Sequence, residues 1–150
     1  DLSMSMVAIA KISRLLGVDS LHGGAPNTKM ENYGEPKLVR DALQLDITPA
    51  SSMTLGQNWF GMKPVWHVAS GGLHAGSLQE VIKQLGEDIM IQCGGGVLGH
   101  PWGIEAGVEA VIQAKDLALG RGNIQDWVKD NPDTALAKAA DHWGFGPKIV

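Results

Sequence analysis

The chain has 150 residues, of which 44% are hydrophobic and 19% charged, and its formal net charge is −4. This composition is typical of a globular domain, and without a basic stripe or an apolar run of ~18–20 residues it argues against nucleic-acid and membrane partners. The single cysteine, Cys93, excludes a disulfide framework and suits a reducing, cytoplasmic compartment.

Apolar periodicity and glycine or proline stops predict an alternation of helices and short strands. A helix over 4–16 is followed by a strand over 18–21, a polar loop over 22–34 and a helix over 37–45. After a less regular stretch come a strand over 65–69 and a helix over 77–85, which Ser77 and Glu80 begin as a capping box. The last elements are a strand over 89–93 and helices over 104–119, 124–129 and 133–143.

This order gives one helix, three strand–loop–helix units and a small helical tail. Repeated strand–helix units predict a parallel sheet with right-handed crossovers. Three units cannot close a barrel, which takes roughly 250 residues. We therefore expect an α/β fold that is the C-terminal portion of a (β/α)8 TIM barrel, about strands 6–8. Residues 1–120 would form this partial barrel and residues 121–150 the tail, as a piece of a longer protein.

Glycine segments follow two of the predicted strands. The strand over 65–69 leads into Ser70-Gly71-Gly72, and the strand over 89–93 leads into Gly94-Gly95-Gly96. Successive glycines allow backbone N–H groups to converge on an anion, and barrels hold phosphate after their seventh and eighth strands. A single glycine turn of this kind could be no more than a tight connection between a strand and a helix. Two in register indicate a phosphorylated substrate.

Other residues near strand ends have both functional and structural interpretations. His22 ends a strand, where barrel active sites lie, but such a histidine is equally often a structural partner. Lys29 could be a solvated charge, or a loop cation that closes on developing negative charge. Cys93 at a strand end could be reactive, but a buried small hydrophobe is the favoured interpretation, and His100 at a loop-to-helix transition could serve packing only. The remaining expectations are an exposed loop position for His74, no role for His67, surface or loop-anchoring positions for Glu31 and Lys63, and no metal-ligand pattern.

Several segments resemble the large subunit of ribulose-1,5-bisphosphate carboxylase/oxygenase, in order and spacing, over essentially the whole chain. The most specific is Gly94-Gly95-Gly96 followed by Leu98-Gly99-His100-Pro101-Trp102-Gly103. The others are Leu21-His22 with Lys29-Met30-Glu31, Gly61-Met62-Lys63-Pro64, and Val68-Ala69-Ser70-Gly71-Gly72. The short connection between Glu31 and Gly61 is more similar to that of the archaeal form III members of the family than to that of the plant form.

The resemblance implies a bisphosphate site divided between two phosphate cradles. Ser70, Gly71 and Gly72 would bind one side of the substrate. Gln92, Cys93, Gly94 and Gly95 would form the backbone cradle for a phosphate. His22 matches the family's substrate-binding histidine. Lys29 matches the lysine of the mobile sixth loop, which contacts CO₂ and stabilises the carboxylate being formed.

The loop that carries this lysine departs from the family's usual Gly-Thr-x-x-Gly-Lys. Here it reads Gly24-Ala25-Pro26-Asn27-Thr28-Lys29, so alanine replaces the threonine, threonine replaces the second glycine, and Pro26 stiffens the loop. These changes bear on loop closure and on CO₂/O₂ discrimination.

The resemblance also implies Mg²⁺, held by a carbamylated lysine and acidic ligands on earlier strands that these 150 residues do not include. The expected partners are ribulose 1,5-bisphosphate, CO₂ or O₂, and further copies of the chain in a homodimer or higher homo-oligomer.

The expected activity, exerted as part of a longer chain, is carboxylation of the Mg²⁺-stabilised enediolate of ribulose 1,5-bisphosphate to two 3-phosphoglycerates. One alternative is a related enolase or isomerase that acts on a phosphorylated sugar, since such proteins often alter the sixth loop. The other is a catalytically inactive fragment. We expect the isolated 150 residues to be inactive.

Overall fold

The computed structural model describes residues 4–26 and 34–146 of the chain. The predicted Lys29 site, together with Glu31, therefore lies outside the described residues. No helix in these two ranges is long and apolar enough to cross a membrane. The elements in chain order are α1 (Met6–Leu15), β1 (Ser20–His22), α2 (Glu35–Gln44), β2 (Ile47–Thr48), β3 (Gln57–Asn58), β4 (Trp66–Ala69), a 3-10 turn (Ala75–Ser77), α3 (Leu78–Leu85), β5 (Met90–Ile91), α4 (Gly94–Leu98), α5 (Ile104–Leu119), α6 (Ile124–Asp130) and α7 (Ala135–Trp143).

A three-stranded parallel sheet with the order β1-β4-β5 carries the three strand–helix units. The central strand β4 pairs Val68 with His22 on one side and with Met90 on the other. The predicted α/β fold with a parallel sheet is thus confirmed. β5 is shorter than the predicted strand over 89–93, because hydrogen-bonded pairing covers only part of its apolar run. β1 covers 20–22 in place of the predicted 18–21, so His22 belongs to the strand and not to the loop. The stretch expected to be irregular contains a small antiparallel hairpin, β2-β3.

Helices α1 and α2 pack together over the start of β4. Ser5 begins α1 by accepting a hydrogen bond from the backbone N–H of Ala8. At the other end of the helix the buried Arg14 side chain donates to the carbonyls of Ala42 and Leu45, which are free because α2 ends there. The apolar residues enclosed here are Val7, Ala10, Val39, Ala42, Leu43 and Val65.

The larger core lies among α3, α5 and α7. Leu78 and Leu85 from α3, Ala110 from α5 and Leu136 from α7 are each almost fully buried in one cluster with Ala69. The predicted helical tail therefore shares a core with the strand–helix units that precede it.

The start of α3 corrects one prediction. The capping box is formed by His74 and Ser77, because the side chain of each residue is hydrogen-bonded to the backbone of the other. Glu80 takes no part in it. The Glu80 carboxylate instead accepts a hydrogen bond of 2.6 Å from the Gln84 side chain. The prediction failed because the 3-10 turn places the cap of the helical region at His74, three residues before the predicted cap Ser77.

Candidate functional site

The carboxyl ends of the three parallel strands meet at one edge of the sheet. Beyond β1, the Gly23 N–H donates to the Val68 carbonyl at 3.1 Å, and beyond β5, the Gln92 N–H donates to the Ala69 carbonyl at 2.9 Å. The register places Gln92 level with Ser70 and His22 two residues back, level with Val68, so the segments that follow the three strands begin side by side. In parallel sheets this is the edge at which ligands bind.

A cavity of about 390 Å³ opens at this edge, and both glycine segments line it. The predicted site residues that contribute to its wall are Ser70, Gly71, Gly72, Gln92, Gly94 and Gly95. Residues predicted from two separate segments of the sequence are thus placed by the fold around one space. The rest of the wall consists of Leu73, His74, Gly96 and Trp143.

The first glycine segment is a turn that requires glycine for its backbone conformation. Gly71 has a φ of 108° and Gly72 a φ of 67°, in the left-handed region that other L-residues rarely adopt. Both glycines are exposed at the cavity. The turn lets the chain leave β4 and expose its backbone to the space at the sheet edge.

The second glycine segment corrects the prediction of a turn, because Gly94, Gly95 and Gly96 form the first turn of α4. Consecutive glycines fit a turn and a helical turn equally well, so the sequence could not decide between them. A Cβ on Gly96 would lie 2.6 Å from the Leu73 carbonyl oxygen and from the His74 Cα, whereas a Cβ on Gly94 or Gly95 would meet nothing within 4 Å. Packing therefore explains Gly96 alone.

The predicted residues His22 and Cys93 do not line the cavity. His22 is exposed, and a hydrogen bond of 3.0 Å joins its Nδ1 to the Ser70 Oγ, which connects it to the wall through Ser70. Cys93 is the N-cap of α4 and is 8% exposed. Burial raises the pKa of its thiol to about 11, so the thiol is protonated at neutral pH and is a poor nucleophile. The interpretation of Cys93 as a buried small hydrophobe is confirmed.

His74 and Trp143 are wall residues that were not predicted from the sequence. The prediction of an exposed His74 is wrong, because the residue is only 2% exposed. Its ring stacks on Trp143 with centroids 5.6 Å apart, and its Nε2 donates to the Gly146 carbonyl at 2.9 Å. Ser77, three residues after His74, is the local sign of a capped and ordered turn. The tail thus reaches the cavity through Trp143.

His100 has a structural role, in agreement with its packing interpretation. It is 4% exposed, its Nε2 donates to the Ala135 carbonyl at 3.0 Å, and its Nδ1 accepts from the Trp102 N–H at 3.1 Å. Both ring nitrogens are satisfied in one neutral tautomer, which ties the loop before α5 to the start of α7. Lys63 is exposed and lies 3.2 Å from the Asp19 carboxylate, as expected for a surface position.

Within residues 4–26 and 34–146, no group of three or more His, Cys, Asp or Glu side chains could hold a metal ion.

Two archaeal relatives match nearly the whole chain. The ribulose bisphosphate carboxylase of Archaeoglobus fulgidus is 38% identical in an alignment of 146 residues that covers 94% of this chain and 33% of that protein. The ribulose bisphosphate carboxylase of Pyrococcus furiosus is 40% identical over 143 residues, 95% of this chain and 31% of that protein. The chain thus spans about a third of the length of these relatives.

Solved structures agree with the sequence comparison. A dimeric archaeal Rubisco from Hyperthermus butylicus superimposes with a TM-score of 0.82 at 39% identity, over 94% of this chain and 33% of that one. An octameric Rubisco from Pyrococcus horikoshii gives a TM-score of 0.75 at 38% identity, over 93% of this chain and 30% of that one. The sequence model of the ribulose bisphosphate carboxylase large chain, catalytic domain, matches residues 1–143. The chain therefore belongs to the family of ribulose bisphosphate carboxylase large chains, within their catalytic domain.

Proposed function

We propose that this chain forms part of a ribulose bisphosphate carboxylase, which converts ribulose 1,5-bisphosphate and CO₂ to two molecules of 3-phosphoglycerate. It would do so as part of a longer chain, since it spans about a third of the relatives it matches. The observation that carries the proposal is the cavity shared by the two glycine segments, in a chain that belongs to this family.

Gly94 and Gly95 provide the strongest support for an anion in that cavity. Their conformation is helical, and no neighbouring atom excludes a Cβ, so the fold itself does not require glycine at either position. Each glycine in place of alanine costs a helix about 1 kcal/mol. A ligand that approaches the backbone closely accounts for both, because the first N–H groups of a helix have no partner within it.

The roles that we propose for the other residues rest on the cavity lining for those that line it, and on the family resemblance for His22, Cys93 and Lys29. Gln92, Gly94 and Gly95, with the Cys93 backbone, would hold one phosphate at the start of α4. Ser70, Gly71 and Gly72 would hold the other side of the substrate through exposed backbone groups. In the proposed site His22 binds substrate beside Ser70. Lys29 would act as the cation that stabilises the new carboxylate.

We also propose the complete (β/α)8 barrel as the setting of this site, with residues 1–120 as its C-terminal strand–helix units and 121–150 as the helical tail. Within the described part of the chain, β1 and β5 are each paired along one edge only. Ile104, Val108 and Ile112 recur on one face of α5, and each is about half exposed. Further strand–helix units would pair with both free edges and cover this face.

Mg²⁺, bound through a carbamylated lysine and acidic residues, would be supplied by other parts of the longer protein. We propose a homodimer or higher homo-oligomer, which is supported by the dimeric and octameric assemblies of the solved relatives. A cytoplasmic location and an archaeal form III type also belong to the proposal.

The test is a carboxylation assay on the full-length protein, with ribulose 1,5-bisphosphate, Mg²⁺ and ¹⁴C-labelled bicarbonate. We expect acid-stable label in 3-phosphoglycerate and its loss in the Lys29→Ala variant. Lys37→Ala is the matched control, because Lys37 is an exposed lysine on α2 and should be replaceable without loss. An absence of acid-stable label with the wild-type protein would refute the proposal.

The enolase or isomerase alternative is not favoured, since the relatives are named as carboxylases. The same assay, run on residues 1–150 alone, tests the prediction that the isolated chain is inactive.

A further inference from the structure

His67, which was expected to have no role, lies behind the site with its ring fully buried. It is in the central strand β4 and has no exposed surface. Its Nε2 donates a hydrogen bond of 2.9 Å to the Gly24 carbonyl, in the segment that follows β1. Gly24 has a φ of 75°, so the chain turns at the residue that the ring holds.

The neighbouring residue Gly23 is fitted closely to the same ring. A Cβ on Gly23 would collide with the His67 imidazole and would lie 2.8 Å from the Val39 Cγ1. The Gly23 N–H donates to the Val68 carbonyl, which fixes the backbone from the strand side. Two consecutive residues after β1 are therefore held by β4, one by contact and backbone pairing and the other by the imidazole.

This backbone leads directly into the proposed substrate site. Gly23 follows His22, whose Nδ1 is joined to the Ser70 Oγ, and Ser70 lines the cavity. Ser70 itself comes three residues after His67 along the same chain segment. A shift of the Gly23–Gly24 backbone would thus move His22 relative to Ser70.

The surroundings of the ring select one protonation state. Burial lowers the pKa of His67, and the Arg40 guanidinium on α2 lowers it further, against the Gly24 hydrogen bond, which raises it. The neutral ring must carry its proton on Nε2 to donate to Gly24. Its Nδ1 has no hydrogen-bond partner among the described residues. The ring is thus a fixed donor at neutral pH.

We infer that His67 is a positioning residue, which fixes the backbone of Gly23 and Gly24 and thereby holds His22 against Ser70 at the wall of the substrate cavity. The effect on substrate rests on the proposed function. The effect on the backbone does not.

The test compares two variants of the full-length protein, His67→Leu and His67→Gln. Leucine fills the space but cannot donate, whereas the glutamine amide can donate from a position similar to Nε2. In the leucine variant we expect faster hydrogen–deuterium exchange over residues 21–26, with α5 unchanged, and a KM for ribulose 1,5-bisphosphate raised about tenfold, the value of one net hydrogen bond. Its kcat should change less than its KM.

The glutamine variant should restore both exchange and KM to within about twofold of wild type, as expected where the donor is the essential group. If the leucine protein does not fold, His67→Asn replaces it, because the shorter amide cannot reach Gly24. Unchanged exchange over 21–26 in the leucine or asparagine variant would overturn the inference, as would equal impairment of the glutamine variant. If the wild type does not turn over ribulose 1,5-bisphosphate, the proposed function fails while the exchange data still decide the role of His67.

Discussion

The glycine segments 70–72 and 94–96 face the same cavity, but the fold uses glycine differently in each. In the first, Gly71 and Gly72 have positive φ angles, so the backbone conformation itself requires glycine. In the second, which is helical, Gly96 is required because another segment packs against it. Gly94 and Gly95 satisfy neither condition. The comparison therefore separates the glycines needed for folding from those left for a ligand.

Gly96→Ala should have the largest effect on stability. The new Cβ would press on the backbone at Leu73 and His74, which cannot rotate away as a side chain could. We expect a loss of about 3 kcal/mol in the free energy of unfolding, as for a severely overpacked core. Urea unfolding of the full-length protein measures it. Gly94→Ala, two residues earlier in the same helix, is the control, and equal destabilisation of both variants would contradict the distinction.

Gly72→Ala should have an intermediate effect, because alanine at a φ of 67° is strained whatever space surrounds it. The expected loss is about 1–2 kcal/mol in the free energy of unfolding. Gly146→Ala is a suitable control, since a Cβ there meets nothing within 4 Å and the position has no positive φ. A Gly72 variant as stable as the Gly146 variant would show that the turn tolerates a side chain.

These distinctions explain how far the sequence could predict the site. The helix over 104–119 matches α5 residue for residue, because its periodicity is long and Gly120 ends it. The sheet edge followed from three apolar runs, each leading into polar or glycine residues. By contrast, the conformation of residues 94–96 could not be predicted, since glycine permits a turn and a helix alike.

Long-range contacts account for the remaining misses. The burial of His74 depends on Trp143 and Gly146, which lie far along the chain, and no local pattern reports such a contact. The hairpin β2-β3 has two residues in each strand, too few for a visible alternation.

Gly95→Ala sharpens the comparison because stability and binding should change in opposite directions. Alanine favours the helical conformation of α4, so the free energy of unfolding should rise by up to about 1 kcal/mol. The added methyl group would meet no atom within 4 Å, on a residue that lines the cavity in which we propose that a phosphate binds. Calorimetry with ribulose 1,5-bisphosphate should show binding weakened about tenfold or more, the cost of about 1.4 kcal/mol. Gly146→Ala should change neither quantity, and unimpaired binding by the Gly95 variant would argue against the cradle.

A change of pH should act on residues 21–26, which His67 holds beside the first glycine segment, and leave the second segment unaffected, with the smallest expected effect. His67, three residues before Ser70, has a pKa below its ordinary 6.5 because it is buried and faces Arg40. As the pH falls, His67 therefore binds a proton at a higher pH in the unfolded chain than in the folded chain. The stability associated with the neutral ring is fully present above pH 6.5 and is lost as the pH falls towards the lower folded pKa.

The difference in unfolding midpoint between wild type and His67→Gln should be constant from pH 7 to 8 and shift against the wild type below about pH 6.5. The protection of residues 21–26, taken relative to the intrinsic exchange rate at each pH, should fall in the same acidic range, with the start of α4 unaffected. Parallel pH curves for the two proteins would contradict a neutral, buried donor at this position.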